Sequence, residues 1–143
     1  MEDWLHAASP LVDLAIRLYV AEVFFRSGLL KLGNWEGTLY LFANEYHVPL
    51  LPPEVAAWFG TFTEVFFPIL LAIGLATRFA ALWLSIFNVV AVVSFWLVLH
   101  DNEAALMSHV YWGFLLMVTL VHGPGTLSAD RFLVPKVAGR QVP

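Results

Sequence analysis

The chain has 143 residues, of which 60% are hydrophobic and only 13% charged, with a formal charge of −4. A soluble domain of this length carries about a quarter charged residues, so the composition indicates an integral membrane protein forming one domain over residues 1–143. The negative balance argues against a nucleic-acid partner, which needs clustered Lys and Arg, and the lack of cysteine excludes disulfides and thiolate metal sites.

The first ten residues read as a short interfacial lead, with Trp4 suited to the headgroup zone and Pro10 near the first helical position. This lead is acidic and lacks a basic region, so the first span is expected to be retained rather than cleaved as a signal peptide. Residues 11–32 are long enough to cross a bilayer, yet contain Asp13, Arg17, Glu22, Arg26 and Lys31. Each such charge facing lipid costs at least about 2.5–3.5 kcal/mol near the bilayer centre. The charges are therefore expected to face protein, a wet cavity or a membrane surface. Asp13 with Arg17, and Glu22 with Arg26, have the i,i+4 spacing that lets each pair meet on one helix face.

Gly33-Asn34 suits a helix end. Trp35, Leu39, Phe42 and Tyr46 recur at helical spacing, predicting a short amphipathic helix on the bilayer surface or capping the bundle. Pro49, Pro52 and Pro53 then turn the chain into a second span over residues 55–76, with Glu64 near its middle and Pro68 one turn beyond. A third span over 78–99 follows after a link of about one residue, forcing an antiparallel hairpin. An acidic loop, residues 100–105, leads to a fourth span over 106–121, and residues 122–143 form a tail carrying Arg131, Lys136 and Arg140. The expected fold is an all-α, four-helix membrane bundle. The placement of Lys and Arg puts both termini and the hairpin at Thr77 in the cytoplasm, with the loops holding His47 and His100 outside.

Counting residues from the span ends places Glu22 and Glu64 roughly 15 Å deep and Arg26 about 9 Å deep. With Asn88, also near mid-span, these residues are expected to meet in one buried polar cluster suited to proton relay or to a polar head group. The competing reading is an internal clamp that fixes helix register without turnover. His47, His100 and His109, with Asp101, Glu103 and Tyr46 nearby, form weaker candidates for a zinc or copper site. Trp35, Trp58, Trp96 and Trp112 read as belt anchors. At the inner end, Asp13, Arg17, Arg78 and His122 are expected to form an ion-pair collar with positive-inside anchoring.

Arg17, the string Phe25-Arg26-Ser27-Gly28 and Lys31 resemble the opening motif of DoxX-like membrane proteins. Glu64 followed by Gly74-Leu75-Ala76-Thr77-Arg78 is similar to that family's second-span signature, and Gly123-Pro124-Gly125-Thr126-Leu127-Ser128-Ala129-Asp130 to its closing segment, with Ala129 where Leu is commoner. The resemblance runs from about residue 12 to 132. It implies a four-helix bundle of the bacterial inner membrane linked to redox chemistry or oxidative-stress defence, some relatives being quinone-reducing subunits. It marks Arg17, Arg26, Lys31, Glu64 and Arg78 as motif positions. The functional expectation is a quinone-like molecule bound among the helices. Arg26 and Glu64 serve its head, Glu22 and Asn88 support them, Arg17 and Lys31 contribute, and Phe62, Phe66 and Trp112 line the apolar part. Electrons would come from a redox partner subunit. The alternatives are a non-enzymatic scaffold or assembly partner, as a homo-oligomer or with another protein, and a metal-handling protein using the three histidines.

Overall fold

The computed structural model describes residues 2–133, with side chains from residue 8 onward. The expected basic residues Lys136 and Arg140, and the side chain of Trp4, lie outside the described residues. The chain is all-α: α1 (Glu2–Gly33), α2 (Trp35–Asn44), α3 (Pro53–Ile73), α4 (Thr77–Ser94), α5 (Trp96–Leu99), α6 (Glu103–His122) and α7 (Ala129–Leu133). The long helices close a ring in which α1 packs on α3, α3 on α4, α4 on α6 and α6 on α1. Three of them, α3, α4 and α6, are long and apolar enough to cross a membrane. The fourth long helix, α1, carries the charges noted above.

Local chemistry explains the boundaries. α1 passes through Pro10 instead of starting there, at the cost of one backbone donor. Asn34 ends the α1 segment and caps α2, its side chain accepting from the Gly37 N–H at 3.0 Å. Pro52 and Pro53 open α3, and Gly74, at φ +73°, closes it in the left-handed conformation that glycine tolerates best. α4 stops at Ser94, five residues short of the predicted end of the third span. The cause is a competing donor: the Ser94 carbonyl accepts from the His47 N–H at 2.8 Å, so the helical ladder is interrupted and resumes as the single turn α5. α6 begins three residues earlier than predicted because Asn102 caps it through the Ala105 N–H at 3.1 Å, with Glu103 in the first turn.

The main core gathers Val20, Ala21 and Phe24 of α1, Phe67 and Leu71 of α3, Ala80, Ala81 and Leu84 of α4, and Leu116 of α6. A second cluster of Phe42, Ala56 and Ala57, with Trp35, Leu39 and Tyr46 against it, seats α2 on the first turns of α3. So α2 is an amphipathic cap on the bundle, as its apolar periodicity predicts. The register of α1 on α3 is set by Gly28. A Cβ there would lie 2.7 Å from Val65 Cγ2 and 3.0 Å from the Glu64 backbone, so only glycine permits this approach. Because Glu64 is at the middle of α3, Gly28 and its neighbours share that level.

Candidate functional site

The buried polar cluster exists, but with a different cation. Lys31 Nζ lies 2.5 Å from Glu64 Oε2 and donates to Ser27 Oγ at 2.9 Å, while Ser27 Oγ donates to Glu64 Oε1 at 3.2 Å. The three side chains close a ring between α1 and α3. The ammonium has three hydrogens, and two are used here. Lys31 and Glu64 side chains are 16% and 9% exposed.

Arg26 and Glu22 do not join it. Among the described residues they pair only with each other, at 3.9 Å, with side chains 77% and 62% exposed on the opposite face of α1. The expectation that they meet Glu64 is therefore corrected, and the reason is angular. Ser27, Gly28 and Lys31 follow Val20, Ala21 and Phe24 on the inward stripe of α1, whereas Glu22 and Arg26 fall with Leu18, Leu29 and Leu30 on the outward one. Depth counted from the end of the span also misplaced Arg26. Two residues from Gly28, it sits within about 3 Å of the level of Glu64.

Asn88 is buried, but its partner is His109. Its Nδ2 donates to the His109 carbonyl at 2.9 Å, and its Oδ1 lies 2.9 Å from His109 Nδ1. One amide thus holds both the backbone and the ring of His109, which leans edge-on against Trp112 at 4.8 Å. His109 is drawn inward from the outer face where the sequence alone placed it. His100 bonds the Trp96 carbonyl and lies 3.3 Å from Asp101, and His47 approaches the Glu45 carbonyl. The three histidines share no site, and among the described residues no group of three His, Asp or Glu side chains is placed to hold a metal ion.

Both inward clusters open onto one cavity of about 510 Å³. Lys31, Ser27 and Glu64 sit in one wall, and His109 and Trp112 in another. Phe24, Phe59, Trp83 and Phe87 provide much of the apolar surface, while Phe42, Tyr46, Phe95 and Pro49 close it beneath α2 and the loop after it. Phe62 and Phe66 contribute nothing to it. They stack on each other at 5.1 Å on the exposed side of α3. Two further polar groups complete the lining: Tyr46, which the sequence places beside the outer histidines, and Ser94, to which it gives no role. Tyr46 stacks between Phe42 and Phe95 at 4.7 and 4.6 Å. Burial, and then the charge of Glu64, push its phenol above the ordinary value, so it remains a protonated donor at neutral pH. Ser94 is 4% exposed and its hydroxyl has no hydrogen-bond partner among the described residues. A buried hydroxyl without a partner is costly, and this one lines the cavity.

The far end of the bundle is a structural clasp. Arg17, 1% exposed, donates to the Leu71 carbonyl at 3.3 Å and to that of Leu127. Asp130 accepts from the Ala76 N–H at 2.6 Å, the Thr77 N–H at 2.9 Å and the Thr77 hydroxyl at 2.8 Å. Burial alone would raise the Asp130 carboxyl. The bonds from Thr77 and Ala76, with the charge of Arg17, outweigh it and hold the group below the usual carboxylate range. Arg78 reaches the Val121 carbonyl at 3.5 Å. The predicted collar of ion pairs is thus replaced by charge-to-backbone bonds. Among the described residues the ion pairs are Arg26–Glu22, Lys31–Glu64 and His100–Asp101. The segment from Gly123 to Asp130 is thereby folded back onto the α3–α4 hairpin.

Residues 12–98 match the DoxX family model. The chain belongs to the DoxX family. It is also 31% identical over 134 residues, covering 87% of this chain and 83% of its relative, to a protein of Haemophilus influenzae described only as an uncharacterized protein. No solved structure matches the chain. Within this DoxX protein, Lys31 and Glu64 form one cavity wall, Arg17 binds the closing segment at Leu127, Arg78 bonds the last turn of α6 at Val121, and Arg26 faces outward.

Proposed function

We propose that this DoxX protein is a membrane subunit of a redox or oxidative-stress system that binds a quinone-like, flat amphipathic molecule in the cavity beneath α2. The observation that carries this reading is a charged ring, Lys31–Glu64–Ser27, set into the wall of an otherwise aromatic cavity of about 510 Å³. That volume falls in the range of small-molecule sites, which are mostly apolar with a few placed polar groups. The residues fit the chemistry of a quinone, whose carbonyls accept hydrogen bonds and whose ring and tail need an apolar slot. Lys31 keeps one ammonium hydrogen, Tyr46 a phenol, and Ser94 a hydroxyl that lacks any partner. A bound quinone would supply the electron-accepting chemistry, while Glu64 and Lys31 hold a proton and a charge at its edge. With no cysteine in the chain, electrons would arrive from a partner subunit.

The reading places the protein in the bacterial inner membrane, with the Arg78 and Arg131 end in the cytoplasm. Turning Lys31 into the cavity leaves the His47 and His100 end without an outward-facing Lys or Arg among the described residues, which supports that orientation.

The test is lipid extraction of protein purified in mild detergent, with mass spectrometry for quinones, and titration of the emptied protein with a short-chain quinone. Trp83 and Trp112 line the cavity and report occupancy by fluorescence quenching. One quinone per chain, with affinity at least tenfold weaker in Glu64→Gln and Lys31→Met, is the expected result. A folded protein with no saturable quenching would overturn the proposal and leave the ring as a register clamp within a scaffold.

A further inference from the structure

We infer that the outward face of α1 is the contact surface for a second copy of this chain, with Glu22 of each copy paired to Arg26 of the other. This inference stands apart from the reading of the cavity.

Three observations carry it. The first is depth. The close approach of Gly28 to Glu64 puts Arg26 within about 3 Å of the middle of α3, and α3 is among the helices long and apolar enough to cross a membrane. The second is exposure. The side chains of Glu22 and Arg26 are 62% and 77% exposed, and their mutual contact is a loose 3.9 Å. Around them the same face shows Leu18, Tyr19, Leu29 and Leu30, all exposed. An ion pair at this depth is expected to face protein or a water-filled cavity, not hydrocarbon.

The third is self-complementarity. Copies inserted in the same direction relate by a two-fold axis along the bundle, which gives an isologous contact of one surface with itself. Across that axis α1 meets α1 in parallel. Glu22 of one copy and Arg26 of the other are then offset by about 6 Å along the axis, within reach of an arginine side chain. The contact occurs twice, so each carboxylate gains a second guanidinium, and the patch satisfies itself with no other protein.

The absence of cysteine makes single-cysteine variants a clean probe in native membranes. Under mild oxidation, Leu18→Cys and Leu29→Cys should cross-link to twice the chain mass at least tenfold more than Val89→Cys, which is exposed on α4. No preference over Val89→Cys, or a product of another mass, would overturn the proposal. A second arm uses charge. Differently tagged Glu22→Arg and Arg26→Glu chains should each lose self-association at least tenfold, because each patch then carries two like charges. Co-expressed, they should recover the dimer between the two tags. Failure of that mixed dimer with both variants in the membrane, or undiminished self-association of either alone, would refute the pairing. Should a charge variant fail to insert, the cysteine arm decides.

Discussion

The Lys31–Glu64 pair offers a test that separates a clamp from a ligand site. Lys31→Met leaves the Glu64 carboxylate with only Ser27 in a wall where it is 9% exposed, and Glu64→Leu strands an ammonium that is 16% exposed. Breaking one half of a buried pair costs about 3–5 kcal/mol. The residual exposure of both groups places each single variant near the lower end, at about 3 kcal/mol, or about two orders of magnitude in the folding equilibrium. Replacing both by apolar groups of similar volume is often close to neutral. Ser27 then loses both partners, but its hydroxyl can turn back to a carbonyl of its own helix, so the double variant should fall within about 1 kcal/mol of wild type. Unfolding in detergent by SDS titration, followed by tryptophan fluorescence, measures all four corners of the cycle. Losses that merely add would mean that the two side chains are not each other's partner, and the geometry described above would be wrong. In the double variant, restored stability with lost quinone binding would assign the charges to the ligand. Restored stability with retained binding would remove them from the site.

The remaining predictions concern contacts elsewhere. Gly28→Ala should cost about 1–3 kcal/mol by overpacking, since its methyl meets Val65 and the Glu64 backbone; a neutral thermal-melt result would show that α1 does not approach α3 there. Ser94→Ala removes a buried hydroxyl with no partner, so stability should hold or rise by up to about 1 kcal/mol while quinone affinity falls about fivefold; equal affinity by fluorescence titration would exclude Ser94 from the site. Asp130 has a lowered carboxyl pKa in the folded protein, so its contribution is present above the ordinary carboxylate range and is lost as pH falls through the depressed value. Asp130→Asn should therefore melt below wild type at neutral pH, by about 1 kcal/mol, with the gap closing in acid; a gap independent of pH would refute the role of its charge.

Much of this architecture is legible in the sequence because apolar length, capping residues and prolines are local signals. The hairpin at Thr77, the cap formed by α2 and the α3 start at Pro53 follow from them. What escapes is register. Depth counted from the end of an apolar run takes the run to end at the membrane surface. The true reference is the contact of Gly28 with Glu64, which no count along one helix reveals. The early end of α4 is hidden for the same reason, since the donor that takes the Ser94 carbonyl is the His47 amide on a distant loop. The inward turn of His109 depends likewise on Asn88, on another helix.

The choice between Arg26 and Lys31 was closer to hand. Arg17, Val20, Ala21, Phe24, Ser27, Gly28 and Lys31 are spaced by threes and fours, and the structure buries or half-buries every one. Leu18, Glu22, Arg26 and Leu29 form a second such series, and all are exposed. Each series holds charge, so hydrophobicity alone does not say which faces inward. Small residues do: Ala21, Ser27 and Gly28 lie on the first, and close helix approach needs them. The charges on both series are also why α1 does not stand among the helices long and apolar enough to cross a membrane. In the proposed dimer α1 serves two polar environments on opposite sides, about 8 Å apart along its axis, a cavity through Lys31 and a lateral contact through Arg26. Weakening either should leave the other standing: Glu22→Leu with Arg26→Leu, which leaves no polar group at these positions to pair across the contact, should separate the copies while quinone affinity changes less than twofold. A parallel loss of both would mean that the dimer shapes the cavity, and that the two faces of α1 act as one.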